Sequence, residues 1–147
     1  MSTEVRLEVV VEAPVDQTWA AATDWDRQGE WMLGTTVRGT AHGGQGVGGG
    51  VEAFTGVGRL GFLDTMEITQ WEPPHRCAVL HTGKVVRGTG LFEVRELSGS
   101  SSVFSWSERL DLPLGAVGRA AWPLVRPAFL AGLRRSLDRF ALWVPTR

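Results

Sequence analysis

Two carboxylates and a histidine stand on strand faces that are otherwise apolar. Residues two apart on a strand share a face. Over Val103 to Leu112, Glu108 shares a face with Phe104, Trp106, Leu110 and Leu112, while Ser105, Ser107, Arg109 and Asp111 take the other. Over Phe62 to Trp71, Asp64 shares a face with Phe62, Met66 and Ile68. A carboxylate among apolar neighbours is either partnered or holds its proton to higher pH. Both states suit a polar contact to a ligand, or a general acid/base. The competing reading puts each near a strand end, where the sheet curls away and water reaches it.

His75, Cys77 and His81 share parity, with Val79 between them. At about 3.3 Å per residue, His75 and His81 lie roughly 20 Å apart and cannot share an ion, so no metal is expected. His81 reads first as a satisfied or solvent-facing histidine; the alternative is a cavity residue and third proton-transfer candidate. His75 after Pro74 and His42 in a glycine run are expected to be exposed. Cys77 reads as a small buried residue. No Ser-His-Asp or Cys-His arrangement can be placed. Residues 39–50, GTAHGGQGVGGG, contain a G-x-G-x-x-G match at 44–49. A dinucleotide site needs a helix to open there, yet the strand-like Val51 to Thr55 follows. No Gly-Lys-Ser/Thr is present, so no cofactor is expected and the run predicts a mobile hairpin loop.

The elements that would position these residues follow from periodicity. Val5, Leu7, Val9 and Val11 alternate with more polar neighbours, giving a first strand. Val15 to Thr23 predicts a short helix behind Pro14. Asp24 can cap a second short helix that includes Trp25 and Trp31. Strands are predicted at Thr35–Arg38, Val51–Thr55, Phe62–Trp71, Arg76–Thr82, Val85–Leu97 and Val103–Leu112. Turns at 56–61, 72–74, Gly83 and 98–100 divide them, and Pro113 ends the last. Short turns between consecutive strands give an antiparallel meander. Phe129, Leu133, Leu137, Phe140 and Val144 then form one stripe of a C-terminal helix, with Arg134, Arg135, Asp138 and Arg139 on its solvated side and Arg134 four residues from Asp138. Pro123 and Pro127 each lack an amide hydrogen. The straight helix is therefore expected from about Pro127 to Trp143, after a lead-in turn or kinked segment from Gly115 to Arg126.

Gly88 and Gly90 share a face with Phe92 and Val94 and leave room beneath the sheet. Met66, Phe92 and Trp106, with Phe129, Leu133 and Leu137 from the helix, are the expected apolar lining of a chamber. Asp64, His81 and Glu108 are its polar contacts. The glycine-rich loops at 39–50 and 56–61 would form a flexible mouth. The competing reading is a core packed solid.

Bulk properties narrow the classes. The 147 residues suit one domain, and 43% hydrophobic with 21% charged content is ordinary for a globular chain. A net charge of −1 gives no electrostatic case for nucleic acid. No apolar run approaches a membrane span. The opening MSTEVRLEVVVEAP does not match a signal peptide, and the single cysteine fits a reducing compartment. A cytoplasmic location is expected.

Four segments carry a family resemblance across the whole chain. Glu12-Ala13-Pro14-Val15-Asp16-Gln17-Thr18-Trp19 resembles the x-A-P-x-x-x-V-W opening of the SRPBCC superfamily, which includes START domains, the birch-pollen allergen family and polyketide cyclases. Trp25 through Trp31 resembles its second helix, and Trp71-Glu72-Pro73-Pro74-His75-Arg76 its E-P-P-x-R corner. Leu133-Arg134-Arg135-Ser136-Leu137 is similar to the tail of its actinobacterial polyketide cyclase/dehydrase-like branch. The resemblance implies an α+β helix-grip fold: a curved antiparallel sheet of about seven strands wrapped on the long C-terminal helix, with two short helices after the first strand. It also implies binding of a hydrophobic or aromatic, polyketide- or lipid-like small molecule. The alternative is an aromatase, cyclase or dehydrase in which Glu108, Asp64 or His81 moves protons. It ranks second because no paired acid and base can be placed from the sequence. A co-chaperone-like interaction domain would need an exposed apolar groove, of which the sequence carries no clear sign.

Overall fold

The alternating N-terminal segment forms strand β1 (Ser2–Val11), with Val5 and Val11 buried. The computed structural model describes residues 2–111 and 115–147. The inner-face placement of Leu112 and the strand end at Pro113 lie outside the described residues. Helix α1 (Val15–Ala22) starts directly after Pro14, and its Thr18, Trp19, Ala21 and Ala22 are buried. The expected second helix is a 3₁₀ helix, Trp25–Glu30, and Trp31 sits just beyond it. Asp24 does not cap it by side chain; its carboxylate instead takes Arg147 at 2.8 Å.

Six further strands complete the sheet: β2 (Thr35–Gly39), β3 (Gly50–Val57), β4 (Leu60–Glu72), β5 (Arg76–His81), β6 (Gly88–Ser98) and β7 (Ser101–Asp111). All pairs are antiparallel, in the order β1-β7-β6-β5-β4-β3-β2, and the sheet is curled. Two boundaries differ from the sequence reading. Residues 56–61 are not a loop, because the β3–β4 ladder continues through Gly56–Gly61 to Val57–Leu60. Conversely, 85–87 precede β6, which opens at Gly88.

The glycine run at 39–50 is not a free mouth. Thr40 donates to the Gly50 carbonyl at 2.8 Å, Gly48 to that of Ile68 at 2.9 Å, and Ile68 to that of Gly49 at 2.8 Å. Gly44 explains why glycine is needed there. Its φ is +72°, and a Cβ would stand 2.5 Å from the Trp25 ring. Trp25 Nε1 in turn donates to the Gly44 carbonyl at 2.7 Å. The run is therefore a clamp on one tryptophan, achieved by close backbone approach.

Helix α2 is continuous from Gly115 to Trp143, with both prolines inside it. Gly115 to Arg126 is thus helical rather than a lead-in turn. Each proline removes the bond to the carbonyl four residues back, and those carbonyls, of Arg119 and Pro123, lie on solvent-exposed turns where water can satisfy them. Burial along the helix is graded. Val117, Leu124 and Val125 are exposed, Phe129 and Leu133 are half-buried, and Leu137 and Phe140 are fully buried, as is Val144 in the 3₁₀ turn that follows the helix. The buried end meets Trp31 and Phe104, whose ring centroids lie 4.7 and 4.6 Å from that of Phe140. Arg134 and Arg139 do not simply hang in water: they donate to the backbone carbonyls of Glu8 and Glu30 at 2.7 and 3.0 Å. These bonds tie the helix to β1 and to the 3₁₀ segment. No described helix is long and apolar enough to cross a membrane.

Candidate functional site

Between the curled sheet and the middle of α2 lies a chamber of about 380 Å³. Its volume is in the range of small-molecule sites. Strand parity puts Asp64 and Met66 of β4, Phe92 of β6, and Trp106 and Glu108 of β7 on its wall. His81 closes the inner face of β5, and Phe129 and Leu133 form the roof. Leu137 is the exception. It is 0% exposed and packed in the core one turn further along the helix, where the sheet and α2 converge.

The three ionisable residues meet. His81 Nδ1 lies 2.8 Å from Asp64 Oδ1, and His81 Nε2 lies 2.8 Å from Glu108 Oε2. The indole Nε1 of Trp106 donates to Glu108 Oε1 at 3.0 Å. His81 sits on β5, next to Asp64 on β4, but Glu108 is on β7, with β6 between. The β6 residue opposite Glu108 is Gly90. Because it has no side chain, Glu108 can lie across β6 to reach the ring.

The side chains of His81, Asp64 and Glu108 are 3%, 14% and 11% exposed, so the group is largely dry. Burial pushes the imidazole toward its neutral form, but the hydrogen bonds and charges of Asp64 and Glu108 overcome it and raise the His81 pKa from 6.5 to about 10. At neutral pH the ring is an imidazolium held between two carboxylates. An acid and two potential bases therefore share one corner, a pairing that single-strand parity could not reveal. The carboxylates flank opposite ring nitrogens, so the three do not converge on a point, and no metal-site cluster occurs among the described residues.

The other reactive residues take quieter places. Cys77 is buried on the chamber wall, and burial pushes its thiol up to about 12, so it is a poor nucleophile. His75 is exposed, with Nδ1 against the Val94 carbonyl at 2.9 Å. His42 is exposed at a φ of +54°.

Sequence reasoning missed the contribution of the 3₁₀ helix. Trp25 and Gln28 both line the chamber and are 5% and 4% exposed. A signal existed: Trp25, Gln28 and Trp31 recur every three residues, the repeat of a 3₁₀ turn, and all three are buried. Trp25 also stacks on Phe92 at 6.1 Å. Trp31 lies behind the chamber wall, its Nε1 buried without a hydrogen-bond partner among surrounding aromatic rings.

A curled seven-stranded antiparallel sheet gripping a long C-terminal helix over an interior chamber defines a helix-grip protein. Residues 2–142 match the family described as polyketide cyclase / dehydrase and lipid transport, and the chain belongs to that family. No curated protein matches it in sequence. Among solved structures it is similar to the Zhui aromatase/cyclase from a Streptomyces species, with a TM-score of 0.81 and 14% identity over 100% of this chain and 96% of that one. A Thermus thermophilus protein gives 0.78 at 15% identity, over 98% of each chain. Norcoclaurine synthase from Thalictrum flavum gives 0.71 at 16% identity, over 100% of this chain and 88% of that one. At these identities the likeness establishes the fold alone.

Proposed function

We propose that the protein holds a hydrophobic or aromatic small molecule, polyketide- or lipid-like, in the chamber beneath its sheet. The observation that carries this reading is the 380 Å³ space itself, walled mainly by apolar side chains and broken by one ionic corner. The likeness to an aromatase/cyclase supports it at the level of fold. A fluorescent apolar probe titrated into protein stripped of copurified molecules tests it. Saturable binding, displaced by other apolar molecules, is the expected result. No saturable binding across lipids, quinones and aromatic polyketides refutes it.

A second reading, a cyclase or dehydrase, is favoured by the Asp64–His81–Glu108 contact. In a dehydration, a carboxylate takes the proton next to the substrate carbonyl, and the imidazolium, once one of its hydrogen bonds to a carboxylate opens, protonates the departing hydroxyl. Water leaves, a carbon–carbon double bond forms, and the carboxylate returns the proton to the ring. The chamber would fix the substrate's fold. Glu108→Gln and Asp64→Asn each then lower turnover of a polyketide substrate at least 100-fold. Unchanged turnover in both removes this reading and leaves the first intact.

A further inference from the structure

The polar corner has spent its donors. Both His81 nitrogens face carboxylates at 2.8 Å, and the Trp106 N–H is committed to Glu108. What remains is acceptor capacity, above all Asp64 Oδ2, for which no protein donor lies among the described residues. With an imidazolium between two carboxylates the corner carries a formal charge of −1. No Lys or Arg lines the chamber among the described residues, and positions 112–114, Leu-Pro-Leu, add no charge. An anionic guest would therefore enter a net-negative corner whose one cation is already paired, which is costly.

The aromatic lining points to a guest of the opposite kind. Trp25, Phe62, Phe92, Trp106 and Phe129 all line the space, and aromatic walls favour flat aromatic bodies and positive charge. Gln28, 4% exposed and on the chamber wall, forms no hydrogen bond through its carboxamide to another described residue. As both donor and acceptor it can partner a guest of either kind.

We infer that the chamber selects aromatic guests bearing a hydrogen-bond donor, as a phenolic or enolic hydroxyl or a protonated amine directed at Asp64 and Glu108, and rejects guests that end in a carboxylate or phosphate. This rests on the small-molecule reading above and names the chemical class of guest.

The test uses four probes with one apolar body: naphthalene, 2-naphthol, 2-naphthylmethylamine and 2-naphthoate. Each is titrated at pH 7.5 by calorimetry and by quenching of tryptophan fluorescence. The expected result is that the naphthol and the amine bind at least 10-fold tighter than the carboxylate. In Asp64→Asn the preference of the amine over the carboxylate shrinks at least fivefold. Should that variant fail to fold, the wild-type ranking decides alone. Carboxylate binding equal to or tighter than that of the hydroxyl and amine overturns the inference while leaving the small-molecule reading standing. So does binding of naphthalene alone. Binding of none of the four overturns both.

Discussion

Gly90 and Glu108 lie opposite each other in the β6–β7 ladder, and a Cβ on residue 90 would stand 2.9 Å from Glu108 Oε1. The missing side chain is what lets a β7 carboxylate reach a β5 imidazole. Alanine in a strand interior ordinarily gains about 0.5–1 kcal/mol over glycine. Here Gly90→Ala should instead lose stability in chemical denaturation, because the methyl displaces Glu108. His81 should also titrate closer to its ordinary value of 6.5, followed by the NMR shift of its ring protons. A gain in stability with unchanged titration would contradict this role.

His81 makes folding pH-dependent in a defined direction. Its pKa is raised in the fold, so its contribution is fully present below about 6.5 and is lost as pH rises toward about 10. Asp64, Glu108 and Cys77 are the other titratable groups on its walls. Cys77, raised from 9.0 to about 12, adds a loss of the same sign only at higher pH. Unfolding free energy measured from pH 6.5 to 8.5 should therefore fall in the wild type, by a slope of up to one proton. It should be nearly flat in His81→Gln. Parallel slopes in the two proteins would rule the group out as the source.

Gly132 separates filling the chamber from damaging the fold. It lies on the chamber wall, and a Cβ there meets nothing within 4 Å. Gly132→Leu gains somewhat less than the roughly 0.8–1 kcal/mol that separates glycine from alanine in helix propensity, a rise in Tm of about 2–3 °C for a chain of this size. Its side chain occupies guest volume. The expected pair is a higher Tm in calorimetry with at least a 10-fold weaker probe affinity. Unaltered affinity would place the guest elsewhere.

Leu133 and Leu137, one turn apart, should part company. Leu137 is 0% exposed and enclosed by core, so Leu137→Ala should cost about 2–5 kcal/mol. Half-buried Leu133 borders space that already exists. Leu133→Ala should cost less than half as much and change probe affinity more. Urea denaturation and probe titration on both variants check this.

Local periodicity made most of the architecture legible. The strands, the C-terminal stripe and the inward parity of Asp64 and Glu108 follow from alternation within single segments, whereas alternation leaves open the side His81 takes. Their meeting was not legible. It depends on which strands are neighbours, on register, and on an empty position opposite Glu108 on a strand between. Parity says which face a residue takes, never what stands across from it. The α2 boundary failed for a different reason. Proline rules describe hydrogen bonds lost inside a helix, and those of Pro123 and Pro127 are lost on turns open to water. Leu137 shares a stripe with Leu133 but not its surroundings, because the helix tilts from chamber into core. A stripe alone does not record depth.

The ionic corner also reaches across the sheet. Two strand spacings of about 4.8 Å separate β5 from β7 by roughly 9.6 Å, and the gap at Gly90 leaves the path between their side chains open. Any widening of the sheet at β6 would have to lengthen the 2.8 Å contact between His81 and Glu108. The three charges thus act as a clasp between two strands that share no ladder.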